Sequence, residues 1–137
     1  MDHDVRMLQE LCLSTQWRKN DIRAAIKKAG DPAMRQALSS QLREYETIHR
    51  QALRLLTDRG SDEKKIPAFL LTLSRMGAGR KLEGEPSSIA KWMIEHHARM
   101  LPQHRGKLPL DPKVSTLSNR LLQTELETME QMQSFLS

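Results

Sequence analysis

Residues 30–60 read GDPAMRQALSSQLREYETIHRQALRLLTDRG, and this stretch decides the fold class. Asp31-Pro32 is a helix start: an aspartate at the N-cap accepts a backbone N–H, and a proline just after it gives up a donor that has no intrahelical partner. Gly30 before it and Gly60 after it suit helix ends, where a residue without Cβ takes the left-handed turn. Between these marks Met34, Leu38, Gln41, Tyr45, Ile48, Ala52 and Leu55 recur every three or four positions. That period is one face of an α-helix, so the spacing predicts a helix over about 32–59.

The same punctuation organises the rest of the chain. A first helix is expected over about 4–29, with Val5, Leu8, Cys12, Thr15, Ile22, Ile26 and Ala29 on one stripe. Leu110-Asp111-Pro112 repeats the Asp-Pro start and opens a last helix over about 112–136, with Val114, Leu117, Leu121, Leu122, Met129, Met132 and Leu136. Gly60-Ser61-Asp62 and Gly106 mark further breaks, and Gly77, Gly79, Gly84 and Pro86 divide the middle. One helical segment is expected at about 66–81 (Ile66, Leu70, Leu73, Met76) and a bundle helix at about 87–104 (Ile89, Met93, His96, Met100). The expectation is an all-α, antiparallel four-helix bundle forming a single domain over 1–137, with the extra segment before its third helix. Short connections at 30 and 107 favour antiparallel neighbours. The apolar face of 66–81 has no obvious partner within four helices, so it either caps an end of the bundle or mediates a dimer, and a homodimer contact is the expectation.

Composition agrees. The chain of 137 residues is long enough to bury a core without disulfides. It is rich in helix formers, has eight methionines, and is only 4% aromatic. Cys12 is the one cysteine, which excludes an internal disulfide and a cysteine-rich zinc site and suits a reducing, cytoplasmic setting. The start, Met1-Asp2-His3-Asp4, lacks the apolar run of a secretory signal. The longest apolar run, Ile66 to Leu71 with Pro67 inside it, is too short to span a bilayer.

Four-helix bundles often hold two metal ions, using a Glu from each of two helices and a Glu-x-x-His from each of the others. Here Glu46-Thr47-Ile48-His49 is the one such spacing. Glu46 follows a stripe position and projects outward, and His49 lies at the flank. Glu95-His96-His97 is the other cluster, but neighbours on a helix diverge by about 100°, so both rings do not reach one ion from the same face. Cofactors are therefore not expected. The alternative is iron or zinc held by a subset of Glu46, His49, His96, His97 and Glu125.

Glu125 stands apart because it falls among Leu121, Leu122, Met129 and Met132, on the apolar face. A buried carboxylate is costly unless it is paired. The expectation is a buried polar layer in which Glu125 accepts a hydrogen bond from Tyr45, with Thr15 at its level and Lys19 or His96 in reach.

The charge is uneven. The chain carries +5 overall, and residues 64–107 alone carry +6, through Lys64, Lys65, Arg75, Arg80, Lys81, Lys91, Arg99, Arg105 and Lys107. Such a patch attracts polyanions in a salt-dependent way. No helix-turn-helix or zinc-finger spacing accompanies it, and aromatic stacking residues are few. A basic accessory protein for nucleic acid is thus a third reading. No nucleophile elbow or phosphate loop is present.

Met7-Leu8-Gln9-Glu10-Leu11, Leu42-Arg43-Glu44-Tyr45, Ser88-Ile89-Ala90-Lys91-Trp92-Met93-Ile94, Leu121-Leu122-Gln123-Thr124-Glu125, and Glu130-Gln131-Met132 through Phe135-Leu136 together resemble a group of small, uncharacterised bacterial proteins with a ferritin-like four-helix bundle. The resemblance spans nearly the whole chain. It implies a ferritin-like fold in the bacterial cytoplasm, and Tyr45 and Glu125 match positions characteristic of the group. The chain departs from it at Glu95-His96-His97 and in its basic 64–107 segment. The function expected is that of a non-enzymatic structural or interaction protein, lacking a complete di-iron site and pairing as a homodimer with its protein partners unknown.

Overall fold

The computed structural model describes residues 3–61, 82, 84–99 and 111–136, with residues 97–99 described by their backbone alone. These residues form four α-helices and no strand: α1 (His3–Lys28), α2 (Pro32–Asp58), α3 (Pro86–Arg99) and α4 (Pro112–Gln133). The expected segment at 66–81 lies outside the described residues, as does the expected end of the third helix beyond residue 99. None of the described helices is long and apolar enough to cross a membrane.

The helix ends follow local chemistry. Asp31 and Asp111 cap α2 and α4 in extended backbone, and their carboxylates accept the N–H groups of Met34 and Lys113, each at 2.9 Å. Pro32 and Pro112 follow as first helical residues. At the far end of α2, Gly60 adopts φ 74° while Ser61 donates to Leu56 O and Gly60 to Thr57 O. This is the two-bond Schellman closure, which a residue with a Cβ resists. Gly30 does not play the part expected of it: among the described residues only Gly60 has a positive φ. The last carbonyls of the α1 end are taken instead by Arg35 of α2, whose Nη1 reaches Ile26 O at 2.8 Å and Ala29 O at 2.9 Å. Gly84 passes so close to α1 that an added Cβ would stand 2.6 Å from Lys28 O, so the approach to α3 requires glycine.

One core joins all four helices. α1 packs mainly on α2, while α2 and α3 pack on α4. Leu8, Leu11 and Ile22 of α1, Met34, Leu38, Ile48 and Leu56 of α2, Ile89 and Met93 of α3, and Leu121 of α4 are fully buried. The stripes match expectation with three corrections. On α1 the buried face is wider, taking in Met7, Leu11, Leu13 and Ala25, while Val5 and Ile26 are half-buried at its edge. On α2 it is Leu56, four residues after Ala52, that is buried, and Leu55 turns aside. On α4 the inward arc is centred on Glu125 and Thr128, so Leu122, one residue past Leu121, is turned about 100° away and is 47% exposed. Leu136, expected on that stripe, lies past the end of α4 and is also exposed.

Candidate functional site

The middle of the bundle holds a buried ion pair. Arg18 of α1 donates from Nε to both carboxylate oxygens of Glu125 of α4, at 2.8 and 3.0 Å, and both side chains are 1% exposed. Desolvating two opposite charges costs several kcal/mol each, recovered only by close pairing and by hydrogen bonds to the remaining lone pairs. Tyr45 of α2 meets that need: fully buried, its hydroxyl is hydrogen-bonded to Glu125. The same hydroxyl stands 3.5 Å from Thr128 Oγ1. Burial pushes the Tyr45 phenol far above its ordinary range, and the negative charge of Glu125 pushes it further. Arg18 and Thr128 oppose the rise and do not cancel it. The Tyr45 phenol is thus held neutral as a donor. Thr124 and Thr128 complete a polar patch on α4 within an otherwise apolar interior.

The structure brings Tyr45 and Glu125 together, and the cation on the carboxylate is Arg18, where Lys19 or His96 was expected. Lys19, one position on, is partly exposed. Thr15 is fully buried and engages His49, with Oγ1 2.8 Å from Nδ1. Thr15 Oγ1 also lies 2.7 Å from Leu11 O. A hydroxyl has one proton; when it goes to that carbonyl, His49 must carry hydrogen on Nδ1. His49 is thus buried, where a flank position was expected. His96 is also buried, but it faces α1: Nδ1 is 3.4 Å from Asp21 Oδ2, and its ring packs on Trp92 with centroids 4.2 Å apart. Glu46 is partly exposed and pairs with Arg23 at 3.8 Å.

The candidate metal ligands are consequently dispersed. Glu46 turns to Arg23, His49 to Thr15, His96 to Asp21 and Glu125 to Arg18. Among the described residues, no three His, Cys, Asp or Glu side chains are grouped to hold an ion. The His97 side chain lies outside the described residues. So do Lys64, Lys65, Arg75, Arg80, Lys81, Arg105 and Lys107 of the basic segment, and the side chain of Arg99. Lys91 is exposed on α3.

Three features went unread in the sequence. Arg18 is one, although the step from Thr15 to Ile22 leaves a helical turn whose inward position is 18 or 19. A second is the junction of helix ends: Arg59, the C-cap of α2, ion-pairs with Asp111 and stands 3.9 Å from Asp4, while Asp4 Oδ2 accepts the Asp111 N–H at 3.0 Å. Arg59 and the Lys113 N–H hold the Asp111 carboxyl below its ordinary value, the backbone donor being the larger influence. The third is the α2–α4 seam, grooved along its length. One half is apolar with a basic rim, the other polar with an acidic rim. No family model matches this chain, and no characterised protein or solved structure is significantly similar to it.

Proposed function

We propose that this chain is a ferritin-like, antiparallel four-helix bundle whose interior is held by an arginine–glutamate pair where its metal-binding counterparts hold ions, and that it works as a non-enzymatic structural or interaction protein. Support for the topology comes from the order of contacts. Asp4, Thr15 and Arg23 of α1 meet Arg59, His49 and Glu46 of α2, which sets those helices in opposite directions. Asp4 beside Asp111 and Arg18 on Glu125 set α1 and α4 in the same direction. Gly84 against Lys28 and His96 beside Asp21 set α3 opposite to α1. Then α2 and α3 point the same way, which requires one long crossover connection, as in ferritin-like bundles.

The observation that carries the functional reading is the guanidinium on Glu125. A carboxylate that bridges metal needs its lone pairs turned to the ions. Here both oxygens accept from Arg18, and Tyr45 adds a further donor. A fixed positive side chain thus supplies the counter-charge that a metal would bring. Elemental analysis of untagged protein, after aerobic exposure to ferrous iron and separately to zinc, tests this. Far less than one ion per chain is expected. Retention of about two ions would restore the di-iron class. About one ion, lost in Glu125→Gln with helicity retained, would indicate a reduced site at the polar layer.

A further inference from the structure

The seam between α2 and α4 is divided by charge. In the half nearer the α4 start, Arg54, Lys113 and Arg120 flank an apolar strip made by Leu55, Pro112 and Leu117. In the half nearer the α4 end, Glu44, Glu127 and Glu130 flank a polar strip with Thr124 and Thr128. Within the acidic half, Gln41 is 4% exposed; its Nε2 donates to Gln131 Oε1 at 2.9 Å, while its Oε1 has no hydrogen-bond partner among the described residues.

On α4 the two halves are also symmetric in position. Lys113 lies seven residues before Arg120 on α4, and Glu127 lies seven after it. On α2, Arg54 and Gln41 fall six and seven residues either side of Ile48. Arg120 meets Gln51 and Glu44 across the seam, at 3.4 and 3.3 Å, so these two midpoints lie at one level. Along α4 the basic and acidic ends thus lie about 10 Å either side of the centre, and on α2 Arg54 and Glu44 lie about 9 and 6 Å from it. A two-fold axis through that centre lays the basic half of one copy on the acidic half of another, twice over. Such isologous contacts are how most soluble homo-oligomers close. At the centre, where a residue would face its own copy, Arg120 is already paired with Glu44, so like charges do not meet uncompensated.

We propose that the α2–α4 seam is a homodimer surface whose occupant is a second copy of this chain, turned end for end, with Arg54 and Lys113 of one copy donating to Glu44, Glu127 and Glu130 of the other. This deepens the reading as an interaction protein by naming the partner. Metal loading tests that role and association state tests the partner, so either can fail alone. The proposal places the contact on described helices, whereas the sequence reading placed it on residues 66–81.

Charge exchange tests it. Variant one carries Arg54→Glu and Lys113→Glu; variant two carries Glu127→Lys and Glu130→Lys. All four side chains are exposed, so helix content by circular dichroism should match wild type. Light scattering after size exclusion, at about 100 µM chain, should give a dimer for wild type. Each variant alone should dimerise at least about ten-fold more weakly, because like charges face each other. Mixing the two should restore the dimer as a heterodimer, since each acidic half again meets a basic one. A monomeric wild type overturns the proposal. So does a dimer unchanged in both variants, which would place the contact on another face, such as the exposed Leu122 and Leu126 of α4.

Discussion

Arginine meets a carboxylate of the α4 region in two places, from α1 in the middle of the bundle and from the end of α2 at its rim, with opposite settings. In the middle, Arg18 and Glu125 are sealed from water at 1% exposure. At the end, Arg59 and Asp111 are 20% and 28% exposed, and Asp4 shares the guanidinium. The residue types are alike, but the dielectric is not. In the interior, removing one partner strands an uncompensated charge, so the pair is strict about what faces what. At the end, water replaces a lost partner, so the contact trims the geometry of three helix ends while contributing little free energy. Burial thus turns one chemistry into a register pin in the middle and into an adjustable clasp at the rim.

Breaking the central pair gives the largest effect. Arg18→Ala is expected to destabilise by about 3–5 kcal/mol, because Glu125 remains buried and unpaired. Glu125→Gln, which strands Arg18, should cost a similar amount in urea or thermal melts. Replacing both, Arg18→Met with Glu125→Leu, should recover most of the loss or exceed wild type by about 1–4 kcal/mol. Tyr45→Phe belongs in that background, since its hydroxyl would lose the carboxylate. A single Arg18→Ala change costing under about 1 kcal/mol would mean that the middle behaves like the rim, and the contrast fails.

Next comes alkali. The folded-state Tyr45 value lies above the ordinary 10.0, so its contribution is full below pH 10 and is lost as pH rises beyond it. Tyr45 is the only tyrosine. Tyrosinate absorbance should therefore appear only as the chain unfolds; its appearance near pH 10 with helicity intact would refute the sealed layer.

What was legible in the sequence was local. The Asp31-Pro32 and Asp111-Pro112 starts are each decided within a few residues, and both caps form. Glu125 stood out because a carboxylate on an apolar arc must be explained wherever the arc faces. Its partner did not, because Arg18 lies 107 positions away and nothing in the α1 pattern separates position 18 from 19. Leu122 misled for a related reason: hydrophobicity ranks it with Leu121, while only the packing of Thr124 and Thr128 toward α2 shows which arc is inward. Gly30 misled because the α1 carbonyls found a guanidinium from Arg35, which no helix-end rule within α1 anticipates.

The smallest effect is expected at the rim, where it also carries a signature in acid. Arg59→Ala should cost about 1 kcal/mol or less at neutral pH, and less still at high salt, because the guanidinium is partly solvated. The Asp111 carboxyl is held below its ordinary 3.8 first by the Lys113 N–H and then by Arg59. A lowered folded-state value means that stabilisation is present above pH 3.8 and is lost as pH falls below it, through the lowered value. The gap between wild type and Arg59→Ala in chemical denaturation should therefore close in that acid range. In Arg59→Ala the Lys113 N–H still caps through Asp111, so α4 should keep its start and its helicity. An Arg59→Ala loss as large as that of Arg18→Ala would show that the junction of Asp4, Arg59 and Asp111 is sealed in solution, and that exposure does not separate the two arginines.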